Sequence, residues 1–257
     1  MKKNIYYSMV VLLACLVIGA CRSSDDDDNT NAAYTETSLS EAPVWQIDWS
    51  NDQVRPNWTE PDASLYENWT ILKVQIEDAL LPYASEGDLM ALFVNGEIRA
   101  LAQPAFIVGS DQTASGKFVM KAYGNEMSSE TVNMSLQYYN QTLRHIFTLT
   151  DDISLDSDET TGIDEDFIPE FTYGSAKYPV VKTIGVETLL TTVGITPVSG
   201  NKVAAFVGEE CRGTVSLSAS GSTQLVIFGR VAGESVTLKY YDGTAGKLYD
   251  IPDAVKL

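Results

Sequence analysis

From about residue 69 onward, apolar and polar side chains alternate along the chain. Val132, Met134, Leu136 and Tyr138 stand two apart, as do Val236, Leu238 and Tyr240, and residues at that spacing line one face of a strand. Lys117–Tyr123 and Leu143–Leu149 read as strands too, while Trp69–Ile76 opens as an apolar run before it alternates. The short runs Val203–Val207 and Leu225–Phe228 have the length of strands rather than of helices. Asn95-Gly96, Ala232-Gly233 and Asp242-Gly243 punctuate these segments with turn chemistry. No window keeps a helical period. The pattern predicts an all-β fold, with antiparallel sheets that bury one apolar face each by packing as sandwiches.

The pattern is written twice. Ala91, Phe93, Val94, Glu97 and Arg99 fall on Ala204, Phe206, Val207, Glu210 and Arg212 at one constant offset, and Thr70-Ile71 falls on Thr183-Ile184. Glu130-Thr-Val132 and Tyr138-Tyr139-Asn140 are echoed by Glu234-Ser-Val236 and Tyr240-Tyr241-Asp242. Several motifs in one order, twice, are the mark of an internal duplication. Two tandem immunoglobulin-like β-sandwich domains are therefore expected, over residues 45–168 and 169–257. The acid-rich stretch Asp151–Glu170 lies at their boundary. Clustered oxygens suit calcium, but Thr161 stands where a calcium loop of the EF-hand kind needs glycine, so a solvated linker and no metal site are expected.

The first 44 residues follow another pattern. Lys2 and Lys3 precede 16 residues, Ile5 to Ala20, that are nearly all apolar and end in Ile18-Gly19-Ala20-Cys21. A membrane-crossing helix needs about 20 such residues. The segment resembles a bacterial lipoprotein signal, residues 1–20, cut before an acylated Cys21. Asp25–Asp28 follow, and a serine-aspartate run after the acylated cysteine resembles the export signal of Bacteroidetes surface lipoproteins. Residues 21–44 are expected to form a flexible acidic tether, placing the protein on the outer membrane by a lipid anchor and exposed at the cell surface.

Charge narrows the partners. The chain carries 35 acids against 17 bases. Setting aside Asp25–Asp28, the nine acids of residues 151–170, and Lys2, Lys3 and Arg22, 22 acids still face 14 bases. Such a surface repels nucleic acid, and no basic stripe is legible in the order of residues. With Cys15 in the signal and Cys21 acylated, Cys211 has no partner for a disulfide, and it reads as a small apolar residue in a strand.

Catalytic groups are few. His145 is the one histidine, and its phase puts it on the less apolar face of its strand. No Gly-x-Ser-x-Gly is present. A glycosidase needs only two carboxylates and stays as a minor alternative. No catalytic residue and no cofactor are assigned. Glu97-x-Arg99 and Glu210-x-Arg212 place opposite charges on one strand face, and their recurrence points to a structural pair over a ligand clamp. Trp45, Trp49, Trp58 and Trp69 all lie in the first quarter of the body. Most tryptophans pack inside, but Trp49 and Trp58 stand among Pro, Asn and Asp and are expected to be partly open. With Tyr66 they make a candidate ligand face.

The tryptophan-rich lead, Tyr66-Glu-Asn-Trp-Thr70 and the Asp88…Ala91-x-Phe93-Val94…Glu97-x-Arg99 pattern resemble a repeat of surface lipoproteins in gut Bacteroidetes. The copy Ala204-Ala-Phe-Val…Glu210-Cys-Arg-Gly213 matches better, and Ile98 and Ala100 depart from it. The resemblance implies a non-catalytic surface module; the tether, the duplication, the few catalytic groups and the aromatic cluster point to one that binds carbohydrate or an adhesion partner. A structural subunit of an outer-membrane or pilus-like assembly is the alternative. If the signal works as read, a lipoprotein signal-peptidase inhibitor of the globomycin type will leave the chain unprocessed, and Cys21→Ala will abolish incorporation of labelled fatty acid.

Overall fold

A computed structural model describes residues 33–49, 55–105, 116–125, 134–149 and 167–257. The signal, Cys21, the aspartate run, Glu130 and acidic residues 151–166 lie outside the described residues. Ala33–Leu257 form one compact unit, and its fold is all-β.

Each half of the repeat builds one small sheet and one large one. In the first half, β2 (Asn68–Gln75) pairs with β5 (Lys117–Gly124). The large sheet runs β4 (Glu97–Ala102), β3 (Leu89–Val94), β6 (Met134–Asn140), β7 (His145–Leu149) and β8 (Phe171–Thr172). In the second half, β9 (Val180–Gly185) pairs with β12 (Gln224–Gly229). Its large sheet runs β11 (Glu210–Ser216), β10 (Lys202–Val207), β13 (Ser235–Asp242), β14 (Lys247–Lys256) and β1 (Thr35–Ser38). The order is the same strand for strand. Even the register shift recurs, between Leu92 and Phe93 in one hairpin and between Ala205 and Phe206 in the other. The turn of the first hairpin uses Asn95 and Gly96, both at positive φ, the geometry that a two-residue hairpin loop requires.

Two segments lie elsewhere than the pattern predicts. Thr35–Ser38, expected in the tether, is the edge strand of the second half, with Thr35 opposite Asp250 and Ser38 opposite Lys247. Backbone groups on the edge of β14 need partners whatever side chains bring them, so a polar, exposed segment serves. The Lys247–Glu36 ion pair at 2.6 Å and the Tyr34 ring edge-on to Tyr249 hold it there. Phe171–Thr172, expected to open the second domain, closes the sheet of the first. A short helix, α1 (Val186–Thr192), also escapes the period reading because seven residues are under two full turns.

The two halves share one apolar core. Trp49, expected to be partly open, is 4% exposed. Its Nε1–H donates to the Leu143 carbonyl at 2.6 Å, its ring stacks on His145 at 4.4 Å, and Phe228 and Tyr178 meet it edge-on. His145, expected on the less apolar face of its strand, is buried on the face it shares with Phe147 and Leu149, with Nε2–H held by the Tyr173 carbonyl at 2.8 Å. Tyr83 from the first half accepts the Val226 N–H of the second at 2.9 Å, so β12 is buried on both faces.

Each half also buries a polar knot at the start of its hairpin. In the first, Asp88 accepts from the Tyr138 hydroxyl at 2.7 Å, from Asn140 Nδ2 and from the Gln141 N–H. Burial pushes its carboxyl above the usual range, although these donors pull the other way. In the second half the roles are exchanged. Asn201 Nδ2 donates to the Tyr240 hydroxyl and to Asp242, and its oxygen accepts the Gly243 N–H. One carboxylate and one amide flank the tyrosine each time, in opposite order. Two carboxylates there would repel one another in a poorly solvated place. Asn201→Asp should lower stability by roughly 1–3 kcal/mol at neutral pH, and Asn201→Asp with Asp242→Asn should recover most of it, as read from urea unfolding midpoints.

Candidate functional site

Both Glu-x-Arg motifs form the same side-chain constellation. In the first half the Arg99 guanidinium lies 4.6 Å from the centre of the Tyr66 ring, with Nε 3.2 Å from Glu97 Oε2. The Tyr66 hydroxyl donates to Glu97 Oε1 at 2.8 Å, and Arg99 Nη1 donates to the Tyr123 carbonyl at 3.3 Å. In the second half Arg212 stands 5.0 Å over Tyr178, pairs with Glu210 at 3.1 Å and donates to the Phe228 carbonyl at 3.2 Å. The Tyr178 hydroxyl donates to Glu210 Oε1 at 2.7 Å. Each arginine therefore ties the edge of a large sheet (β4 or β11) to the small sheet of its half. These contacts equate Tyr66 with Tyr178 and Tyr123 with Phe228. They also move the offset in β2 and β9 by one from the Thr70-Ile71 and Thr183-Ile184 match. Tyr66 is thereby a working part of the pin.

Among the described residues the second pin carries further contacts. Glu234 adds a contact to Arg212 at 3.4 Å, Arg230 reaches Glu210 at 2.8 Å, and Lys177 lies 3.6 Å from Glu210 and 2.9 Å from Asp48. Burial raises the Glu210 carboxyl, but Tyr178, Arg212 and Arg230 together outweigh it and hold the group below its ordinary range. Glu234 is lowered in the same way, burial being overcome by the Arg230 and Val231 N–H groups and by Arg212. Gly213 has a steric reason: a Cβ there would meet the Val226 carbonyl oxygen at 2.3 Å. Cys211 beside it is buried, its thiol pushed up to about 11 by burial, so it stays protonated and apolar in character.

The lead segment lays one tryptophan on each hairpin. Trp58, half-buried, meets Phe93 edge-on at 5.7 Å, and Trp45, also half-buried, meets Phe206 edge-on at 6.2 Å. Phe93 and Phe206 are matched residues of the repeat, so the pairing of each with a tryptophan was within reach of the sequence. Trp49, between them in the chain, goes into the core instead. Beside Trp45 an open cleft of about 600 Å³ is lined by Asp48, Phe206, Glu209, Glu210 and Arg230. Of these only Glu210 is a predicted site residue. Asp48, Glu209 and Arg230 come from three separate stretches of chain, and no motif announces them. Among the described residues no group of three or more acidic, histidine or cysteine side chains is gathered closely enough to hold a metal ion.

No protein-family model, curated protein or solved structure significantly matches the chain.

The pin makes a pH-dependent contribution with a definite sign. Because the folded chain holds Glu210 and Glu234 below the ordinary 4.5, it binds their protons less readily than the unfolded chain does. Their stabilisation is complete above that value and fades as pH falls through the lowered folded values. Arg212→Met, which leaves both carboxylates without the buried cation, should cost about 3–5 kcal/mol at neutral pH. It should also flatten the loss of stability between about pH 5 and about pH 3 in urea unfolding followed by tryptophan fluorescence.

Proposed function

We propose that this chain is a non-catalytic binding module, held at the bacterial surface by a lipid on Cys21, that takes carbohydrate at the cleft beside Trp45. The cleft carries the reading: an aromatic ring stands half-open next to Asp48, Glu209 and Arg230, groups that accept from and donate to sugar hydroxyls. The Trp58–Phe93 pair repeats the aromatic part of this arrangement on the first hairpin.

The state of the reactive groups supports a non-catalytic role. The His145 ring is packed between Trp49 and Phe147 with Nε2–H on a backbone carbonyl, out of reach of a substrate. Both glutamates of the repeat motif are committed to arginine. The lipoprotein-like start and the resemblance to surface repeats of gut Bacteroidetes support the address.

A second reading, a subunit of a surface assembly, is favoured by one observation. The edge position that β8 fills in the first half is filled in the second by β1, an exposed four-residue strand. An edge strand supplied by a distant stretch of chain can be exchanged between copies, and the sheet edge it covers can pair with another chain.

In affinity electrophoresis through neutral polysaccharides, with the ligand chosen from a glycan array, the full chain should be retarded. Trp45→Ala should weaken binding about tenfold, or ~1.4 kcal/mol. Equal retardation of both proteins would remove the cleft from the reading, and an absence of glycan binding with capture of a neighbouring chain by crosslinking would favour assembly.

A further inference from the structure

The outer face of the first small sheet gathers lysines and aromatic rings in an otherwise acidic chain. Strand alternation turns Thr70, Leu72 and Val74 of β2 inward and leaves Trp69, Ile71, Lys73 and Gln75 outward. On β5, Phe118, Met120 and Ala122 face in, while Lys117, Val119, Lys121 and Tyr123 face out. The two strands hold three lysines and no acid, in a chain with twice as many acids as bases. Trp69 and Val119 are each 52% exposed. Trp69 is paired across the strands with Tyr123, which stacks on Tyr66 at 6.0 Å, so three aromatic rings run in a row. The Lys121 ammonium lies 4.1 Å from the centre of the Trp69 ring and 5.2 Å from that of Tyr123.

The repeat shows what this face does when it is covered. Through the arginine contacts, Val119, Lys121 and Tyr123 correspond to Gln224, Val226 and Phe228 of β12. There the face is a packing surface: Trp49 and His145 lie on Phe228, and Tyr83 takes the Val226 N–H. In the first half the same face is open, and lysine and tryptophan stand at its apolar positions. Two copies set face to face would oppose lysine with lysine, which disfavours a symmetric dimer through it.

We infer that this face binds an anionic polysaccharide, a polymer carrying uronate or sulfate groups, laid along the two strands. Sugar rings pack against Trp69 and Tyr123, and Lys121 on the same face meets the anionic groups. An eight-residue strand spans roughly 26 Å, room for several sugar units. The acidic remainder of the body disfavours the denser charge of a nucleic acid. The inference rests on the reading of this chain as a carbohydrate binder, but it names a different surface and the opposite ligand charge from the Trp45 cleft.

The test uses the full chain with three probes: polygalacturonate, its fully methyl-esterified neutral form, and single-stranded oligo-dT. Polygalacturonate should bind, with affinity falling as salt rises, while the esterified form and oligo-dT bind at least about tenfold more weakly. Trp69→Ala and Lys121→Gln should each weaken polygalacturonate binding about tenfold with the melting temperature unchanged, Lys121→Arg should restore it, and Trp45→Ala should leave it intact. Equal binding of the acid and ester forms would overturn the proposal, as would tighter binding of oligo-dT, loss of binding in Trp45→Ala, or indifference to both Trp69→Ala and Lys121→Gln. If neutral glycans bind in a Trp45-dependent way and polygalacturonate does not, only this proposal fails; if no glycan binds, the carbohydrate reading fails with it.

Discussion

A guanidinium buried between two sheets is the contact on which each half depends. Arg99 and Arg212 are 8% and 2% exposed, and removing such a cation from water is unfavourable unless its donors are met. Apart from Arg212 Nε, which is buried without a partner, the fold meets them with a glutamate two residues back on the same strand, a tyrosine face from the segment leading into the small sheet, and a carbonyl of β5 or β12. Because these groups come from three stretches of chain, satisfying the arginine fixes the small sheet against the large one. The carboxylates gain most where they are least available for anything else. Glu210, with a tyrosine hydroxyl and three cations around it, is an anchor that shapes one wall of the cleft.

The repeat is duplicated in strand order but divided in use. The small sheet of the second half is packed against the first half, with β12 buried on both faces around Trp49, His145 and Tyr83. Its counterpart in the first half meets solvent, and Lys121, Trp69 and Tyr123 occupy its outer face. The lead segment accentuates the division by sending Trp45 to one hairpin, Trp49 to the core and Trp58 to the other hairpin. Equivalent positions thus carry unlike side chains wherever one half meets its twin and the other meets water. The polar knots show the complementary case: both remain buried, and Asp88–Tyr138–Asn140 and Asn201–Tyr240–Asp242 keep the same chemistry with the residues exchanged.

Much of this was legible in the residues themselves. Strand periodicity marked β5, β6, β7 and β13 because one face of each is apolar, a short apolar run marked β12, and the matched motifs located both hairpins and both pins. The lone β1 strand was invisible, since it is polar, exposed on every residue and stabilised by the backbone of a strand more than 200 residues away. Trp49 was misread for a related cause. Its neighbours in sequence are polar, whereas its neighbours in space are His145, Tyr178 and Phe228. The lysine face was missed because Lys73 and the pair Lys117 and Lys121 stand over 40 residues apart, and only strand pairing sets them side by side.

By itself the sequence determined the β class, the duplication and the arginine–glutamate pairs, because period-two burial and an ion pair two residues apart on one strand are local properties. Tertiary structure alone decided which copy of the small sheet is buried, which tryptophans remain open and where carboxylates and cations gather into a cleft. Those outcomes depend on how one half docks on its near-copy, and the free energy of that docking belongs to contacts between residues that no local pattern connects.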